Sequence, residues 1–285
     1  MFVVLTIQRE EKGLLVRAGE WLRGPLEVRR RSFLGNGYYH IIDHTGGRPH
    51  WELLSRAVGK VATRLVLAGE EEPPQGSGLR PYDPSIFAGR MTAMAGVQLL
   101  REMGEAGRRA TVALVDEDGL FSWCAGELAR QCALLRVYTR RPDRYAALCR
   151  ELMEGLGASL LLTDGPAGLG DCLFAVSPAP TGVWKLPMPV LTVDHSGIQG
   201  RPTLNRLEPA LPPELLEQLP PGVSLPLFLG AAWETGLRRF PLDMGLRSCR
   251  ADGRLVDFSQ ASSLLSLSRA TAFNFLSERG KIKTW

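Results

Sequence analysis

Apolar and polar positions are distributed along the chain in a way that separates three regions. Up to about residue 80, short apolar runs are broken by turn signals such as Gly35-Asn36-Gly37, a pattern typical of strands. The predicted strands are residues 2–7, 13–17, 26–29, 37–42 and 61–67. Residues 70–84 combine acidic residues with prolines and predict a linker or a long surface loop. The pattern therefore predicts a β-rich N-terminal domain over residues 1–80.

Helical and strand patterns alternate in the second region, residues 85–200. A helix is predicted over residues 85–103, because Phe87, Met91 and Val97 fall on one helical face. Further helical patterns cover residues 121–132 and 142–156, and apolar runs typical of strands cover 110–115, 134–139, 159–162, 172–176 and 189–193. Strands that alternate with helices of this length predict parallel β-α-β units.

The third region, residues 201–285, is rich in proline at its start and more helical in pattern. Helices are predicted over 213–219, 227–235 and 259–279, with a turn or hairpin around Asp252-Gly253. We expect this segment to pack on the α/β domain or to extend it. The predicted fold class is thus α/β, with a mostly parallel sheet in the middle, a β-rich N-terminal domain and a helical C-terminal segment.

Composition narrows the class of protein without identifying it. The 285 residues are 45% hydrophobic and 22% charged, which are ordinary values for a globular protein. The formal net charge of +4 is too mild to predict nucleic-acid binding by itself. No apolar run approaches the roughly 18 residues that a membrane span requires. The apolar start, residues 1–7, lacks the basic leader of a signal peptide, so we expect a cytoplasmic protein without a membrane partner.

The five cysteines predict free thiols rather than disulfides or a zinc site. No two of them have the two-residue separation of a zinc knuckle or a redox pair. Their apolar neighbours indicate buried thiols in a reducing compartment.

Three short motifs of the second region occur in the order that a known group of cofactor domains shows. Thr139-Arg140-Arg141 follows the predicted second strand, and residues 171–176 form a strand that begins with an aspartate. Ser177-Pro178-Ala179-Pro180 follows that strand. With the preceding helix, this order resembles the cofactor domain of the shikimate dehydrogenase and glutamyl-tRNA reductase group. The resemblance covers residues 85–195, a little over a third of the chain.

This resemblance implies a Rossmann-like fold and a dinucleotide ligand. In members of the group that prefer NADP, residues after the second strand bind the 2′-phosphate. Thr139, Arg140 and Arg141 are candidates for that role, and Ser177 is a candidate for contacting the cofactor. The alternative function that follows is an NADP-dependent oxidoreductase.

The chain departs from the resemblance at the turn after the first strand of the domain. Dinucleotide-binding folds carry three glycines there, which let the pyrophosphate approach the backbone. The corresponding positions are Asp116, Asp118 and Phe121, and Glu117 adds a third acidic residue. Repulsion between carboxylates and a pyrophosphate amounts to a few kcal/mol per contact, on the order of Coulomb estimates at moderate dielectric. We therefore predict a degenerate fingerprint, with Asp116 and Asp118 contacting any ligand only with the help of a cation.

Two histidine-containing groups are further candidates for chemistry. Asp194 and His195 follow the strand over residues 189–193, where open α/β sheets place ligands, and His195 is a candidate for proton transfer. His40, His44 and His50 lie close in sequence, but a zinc site requires three or four converging ligands. The sequence does not require such convergence, and we predict no metal.

The C-terminal pattern offers a function of another class. Residues 261–282 resemble the helix-turn-helix of excisionase-like DNA-binding modules. The resemblance implies that Arg269, Thr271 and Asn274 contact bases or phosphates.

The leading hypothesis is a divergent Rossmann-like protein that binds a ligand or acts as a scaffold, without ordinary dinucleotide binding. Its partner would be a small molecule or another protein, and the sequence identifies neither a reaction nor a substrate. NADP-dependent oxidation and DNA binding remain the alternatives.

Overall fold

The chain divides into two units, and each is built from separated stretches of sequence. One comprises Met1–Pro84 with Leu211–Asp243, and the other Ser85–Ala210 with Met244–Trp285. The structure, a computed structural model, describes residues 1–7, 25–44, 49–59, 64–69, 71–156, 159–194, 196–236 and 245–266.

Strands and helices alternate along the described chain. The strands are β1 (Phe2–Ile7), β2 (Leu26–Phe33), β3 (Asn36–Asp43), β4 (Leu65–Leu67), β5 (Thr111–Val115), β6 (Leu134–Tyr138), β7 (Ser159–Thr163), β8 (Phe174–Ser177), β9 (Trp184–Lys185), β10 (Val190–Thr192), β11 (Ile198–Gln199), β12 (Thr203–Pro209), β13 (Leu246–Ala251) and β14 (Arg254–Asp257). The α-helices are α1 (Trp51–Val58), α2 (Ser85–Glu102), α3 (Glu105–Arg108), α4 (Ser122–Ala129), α5 (Ala146–Leu156), α6 (Pro213–Leu216), α7 (Leu225–Glu234) and α8 (Phe258–Ser266). Pro142–Arg144 and Pro166–Leu169 form single 3₁₀ turns.

The N-terminal unit contains a four-stranded sheet in the order β2-β3-β1-β4. β1 is parallel to β3 and β4, and β2 and β3 form an antiparallel hairpin. Helix α7 completes the core, because the Phe228 ring packs edge-on against Phe2, Phe33 and Tyr38 at centroid distances of 5.3, 5.0 and 5.2 Å. Leu79 and Tyr82 are also buried. The end of the predicted linker therefore packs within this unit.

The second unit contains an eight-stranded sheet in the order β14-β13-β12-β10-β8-β5-β6-β7. Six strands, β12, β10, β8, β5, β6 and β7, are parallel to one another. β13 pairs antiparallel with β12, and β14 pairs antiparallel with β13. Numbered along the chain, the parallel strands have the spatial order 3-2-1-4-5-6, which is characteristic of the Rossmann fold. The predicted α/β class with a mostly parallel sheet is confirmed.

The two faces of this sheet are covered differently. On one face α2 packs against β8, β10 and β12, and α4 packs against α2 and α5. Contact is close at Gly96, where a Cβ would lie 2.7 Å from Val176 Cγ2. On the other face Ala113, Ala175 and Val190 belong to a buried cluster. Short strands β9 and β11 cover that cluster and pair with each other in the crossovers that follow β8 and β10.

Residues 201–285 contain three strands: β13 and β14 form the hairpin predicted around Asp252-Gly253, whereas β12 was not predicted. The physical reason is an irregularity in β12, where Arg206 has a φ of 49° and the register with β13 shifts between Asn205 and Glu208. The buried Leu204 and Leu207 are consequently three residues apart, which is helical spacing rather than the period of two of a regular strand.

All five cysteines are free thiols, and three of them, Cys124, Cys172 and Cys249, are buried. Burial raises the pKa of Cys249 to about 12, so its thiol stays protonated and inert near neutral pH. Within the described ranges, none of the helices has both the length and the apolar character needed to cross a membrane.

Candidate functional site

The candidate site begins at the carboxyl ends of β5 and β6, where the Rossmann fold places its ligand. β5 leads through residues 116–121 into α4, and β6 leads into residues 139–145. The two strands pair with Val115 opposite Tyr138, and the Asp116 amide donates to the Tyr138 carbonyl at 3.0 Å. The two loops therefore lie side by side.

A buried carboxylate organises the first loop. Asp116 is fully buried, and its Oδ1 accepts a hydrogen bond from the Leu120 amide at 3.0 Å. Its Oδ2 accepts from the Phe121 amide at 2.9 Å and from the Tyr145 hydroxyl at 2.6 Å. Burial, with the Asp116 charge as the second cause, raises the pKa of Tyr145, so this hydroxyl stays protonated and donates. The backbone amides that precede α4 are thus occupied by the protein's own anion.

The loop carries one glycine, at a position outside the three fingerprint positions. Gly119 has a φ of +66°, which favours glycine, and its amide donates to the Asp116 carbonyl at 3.1 Å. A Cβ at this position would lie 2.8 Å from Arg144 Cδ and 3.2 Å from Arg141 Cβ. Gly119 thus permits close packing of the first loop on the second.

Backbone hydrogen bonds hold the second loop against the first. The Arg140 amide donates to the Glu117 carbonyl at 2.8 Å, and the Thr139 hydroxyl donates to the same carbonyl at 3.4 Å. The Thr139 oxygen also accepts from the Arg141 amide at 3.0 Å. Thr139, a candidate ligand contact, therefore stabilises the loop pair in this structure.

The two arginines lie at the surface in ion pairs. Arg140 Nη2 lies 3.4 Å from Glu117 Oε2 with 68% of its side chain exposed, and Arg141 pairs with Asp143 at 2.9 Å. Asp118 is exposed. Exposed ion pairs contribute about 0–1 kcal/mol, so these pairings leave both guanidinium groups accessible to a phosphate.

Ser177 and Asp194 lie at the ends of β8 and β10, away from the paired loops in sequence. The buried Ser177 hydroxyl donates to the Ala179 carbonyl at 3.2 Å. Asp194 Oδ2 accepts from Arg206 Nε at 3.0 Å. His195 lies outside the described residues. The structure thus brings Asp116, Thr139, Arg140 and Arg141 together and gives Ser177 and Asp194 separate partners.

Two aromatic residues of the site were missed by the sequence patterns. Tyr145 lies within the helix predicted over residues 142–156, and no partner was predicted for its hydroxyl, although a buried phenol usually requires one. Trp184 packs edge-on against Tyr138, with ring centroids 4.5 Å apart, beside the carboxyl end of β6. The only sequence signal for Trp184 was a large aromatic residue in a loop rich in small residues.

The three N-terminal histidines form separate pairs. His40 Nε2 lies 2.8 Å from Thr6 Oγ1, His44 Nε2 lies 3.2 Å from Glu27 Oε2, and His50 Nδ1 lies 3.8 Å from Asp43 Oδ2. In the part of the chain that the structure describes, no three His, Cys, Asp or Glu side chains are grouped to hold a metal ion.

Acidification is expected to destabilise the N-terminal unit through His40. Burial, followed by repulsion from Arg31 and Arg29, lowers the pKa of His40 below its ordinary value of 6.5, against a weak opposing effect of Glu27. The unfolded chain then binds a proton first, so the stabilisation is complete above pH 6.5 and declines below it. Urea unfolding between about pH 7.5 and 5.5 measures this loss.

The matched variant is His40→Gln, which keeps a nitrogen near Thr6 and cannot be protonated. We expect its stability to change less with pH than that of the natural chain. Equal pH dependence of the two proteins would contradict a role for this histidine.

The predicted DNA-contacting residues Arg269, Thr271 and Asn274 lie outside the described residues. DNA binding by the C-terminal segment stays a prediction.

The strand order and the turn after β5 define a Rossmann-like α/β protein whose first turn is closed by its own carboxylate. The sequence matches no protein-family profile and no curated protein. Among solved structures, the chain is similar to L-tryptophan dehydrogenase from Nostoc punctiforme, with 13% sequence identity, coverage of 84% of this chain and 77% of that chain, and a TM-score of 0.33. A likeness of this degree carries no argument about activity. The resemblance to the shikimate dehydrogenase group stays a prediction.

Proposed function

We propose that this chain is a Rossmann-like ligand-binding or scaffolding protein that does not hold a dinucleotide in its first turn. The observation that carries the proposal is the Asp116 carboxylate, which accepts hydrogen bonds from the Leu120 and Phe121 amides. In dinucleotide-binding folds, amides at this helix start donate to the pyrophosphate instead.

Energetics favour the closed turn over a bound diphosphate. A hydrogen bond to a charged group contributes about 1.5–3 kcal/mol, and a diphosphate would have to replace the carboxylate in two of them. The displaced carboxylate would remain nearby, and its repulsion would cost a few kcal/mol more, on the order of Coulomb estimates. Micromolar binding is worth about 8 kcal/mol in total, so these losses are large enough to abolish it.

A second observation supports the same proposal at the neighbouring strand. Dinucleotide folds place the adenosine ribose beside the end of the second parallel strand. Here that strand is β6, and the Trp184 ring lies against its last residue, Tyr138. An adenosine would therefore compete with a packed aromatic side chain for part of this surface.

Calorimetric titration with NAD and with NADP, each with and without magnesium, tests the proposal. We expect no binding tighter than roughly 1 mM in the absence of magnesium, because the Leu120 and Phe121 amides already donate to Asp116. Micromolar binding of either cofactor without a metal ion would overturn the proposal. Binding that requires magnesium would instead indicate that Glu117 and Asp118 hold the cation.

The alternative function is an NADP-dependent oxidoreductase, and the exposed position of Arg140 and Arg141 directly after β6 favours it. This is the place where NADP-binding folds accommodate the 2′-phosphate. The alternative predicts that NADP binds more tightly than NAD and that replacing both arginines with alanine removes the difference. Unchanged NADP affinity in the double variant would exclude this alternative.

A further inference from the structure

A polar cavity lies beside the junction of β10 and β12, on the face of the sheet that carries β11. Its volume is about 380 Å³, at the lower end of the range for small-molecule sites. Six polar residues line it: Thr192, Ser196, Gln199, Thr203, Asn205 and Asp252. All of these belong to the second unit, and the sequence patterns predicted none of them as a ligand-binding residue.

The Thr192 hydroxyl is the feature of this cavity that points to a ligand. Thr192 is 2% exposed, and its Oγ1 is buried without a hydrogen-bond partner in the described structure. Native proteins rarely retain such a hydroxyl, because removing it from water without a replacement partner is unfavourable. A bound molecule in the cavity would supply that partner.

Backbone contacts and short hydrogen bonds fix the walls of the cavity. The Thr203 hydroxyl oxygen accepts a hydrogen bond from the Gly200 amide at 3.0 Å, and Asp252 Oδ1 accepts one from the Thr203 amide at 2.8 Å. A Cβ on Gly200 would lie 2.5 Å from the Met188 carbonyl oxygen, so the backbone at Gly200 packs directly against the backbone at Met188. The cavity is therefore preformed, which reduces the entropy lost when a ligand binds.

We propose that this cavity binds a small, neutral, polyhydroxylated molecule, a sugar or the ribose of a nucleoside. Hydroxyl, amide and carboxylate groups can each pair with a ligand hydroxyl, while Val193 and Ile198 give its C–H groups an apolar surface. The lining residues include no lysine or arginine, and Asp252 contributes a negative charge, so an anion is disfavoured. The inference rests on the proposed ligand-binding function and adds its site and ligand class.

Ligand-observed NMR on the full chain tests the proposal with ribose, myo-inositol and adenosine as probes and ribose 5-phosphate as the charged counterpart. We expect at least one neutral probe to bind with a Kd of about 1 mM or tighter and the phosphate to bind more weakly. Binding by adenosine alone identifies the nucleoside as the source of the ribose, and binding by ribose or inositol identifies a free polyol. Failure of all three neutral probes overturns the proposal.

Thr192→Val is the decisive variant, because valine has the same shape and lacks the hydroxyl. We expect it to weaken binding about tenfold, and to raise the Tm by about 2 °C since a buried unpaired group is removed. Thr92→Val is the matched control: Thr92 is also 2% exposed, but its hydroxyl donates to the Ala88 carbonyl at 3.0 Å. This control should keep full binding.

Asp252→Asn provides a second readout that does not depend on the threonine. The asparagine oxygen can still accept from the Thr203 amide, and asparagine tolerates the positive φ of 47° at this position. We expect weaker binding of the neutral probe without loss of the fold. Unchanged binding in both variants, or a lowered Tm in Thr192→Val, would overturn the assignment of this site.

The two proposals fail in different ways. Micromolar binding of NAD or NADP without a metal ion would overturn the proposed function and leave the cavity assignment unaffected. Absence of polyol binding would overturn the cavity assignment and leave the cofactor titrations unaffected.

Discussion

Replacing Asp116 with alanine is expected to lower the free energy of unfolding by about 3–5 kcal/mol, since two amides and a hydroxyl lose their acceptor. Asp116 is fully buried, so solvent does not immediately replace the lost carboxylate. Urea titration followed by circular dichroism measures the change. A loss of this size would make the carboxylate one of the main determinants of the loop.

Two variants separate the role of this carboxylate from that of negative charge in general. Asp118 is exposed in the same loop, so Asp118→Ala should change stability by less than about 0.5 kcal/mol. Tyr145→Phe removes one of the three hydrogen bonds to Asp116 and should lower the free energy of unfolding by about 1–2 kcal/mol. When Asp116→Ala and Tyr145→Phe are combined, the total loss should be less than the sum of the two single losses. Equal effects of the Asp116 and Asp118 replacements would contradict the closed turn.

The second large effect is expected from Gly89→Ala, which should destabilise the second unit by about 3 kcal/mol or more. A Cβ at Gly89 would lie 2.2 Å from the Pro178 carbonyl oxygen and 2.3 Å from Phe121 Cζ. The backbone oxygen cannot rotate away, and Phe121 is buried at the start of α4. The helix α2 would have to move away from the loop that follows β8. Chemical denaturation of the full chain provides the measurement.

Gly155→Ala is the matched helical control for this prediction. Apart from the neighbouring backbone of its own helix, no atom of the described residues lies within 4 Å of a Cβ built at Gly155, which is exposed in α5. Alanine is the better helix former, so we expect this variant to gain about 0.5–1 kcal/mol. If both glycine variants shifted stability in the same direction, close packing at Gly89 would not be the cause.

Much of the fold was predictable because the elements concerned have strong local patterns. β1 coincides with the predicted strand over residues 2–7, and α2 ends one residue before the predicted boundary at 103. The hairpin around Asp252-Gly253 was also correct, since both residues adopt the positive φ that this dipeptide favours. β12 was missed because its irregular register conceals the alternation of buried positions.

The candidate site was predictable in composition and not in geometry. Replacement of two of the three fingerprint glycines by Asp116 and Asp118 was visible in the sequence, and it led to the prediction that both carboxylates face a ligand. In the structure, Asp116 instead points inward to Tyr145, a partner 29 residues away. Such a pairing depends on how the loop before α5 packs against the loop after β5, and local spacing carries no information about it. The cavity at Thr192 likewise combines residues from β10, β12 and the β13–β14 turn.

The division of the N-terminal unit between two stretches of sequence has a consequence for synthesis on the ribosome. Phe228, which packs against Phe2, Phe33 and Tyr38, is translated long after those residues have emerged. During translation, the aromatic surface formed by Phe2, Phe33 and Tyr38 therefore stays uncovered while the first strands of the second unit are synthesised. A gene truncated at residue 84 would encode a fragment with that surface permanently open, so the two units are not separable modules for expression.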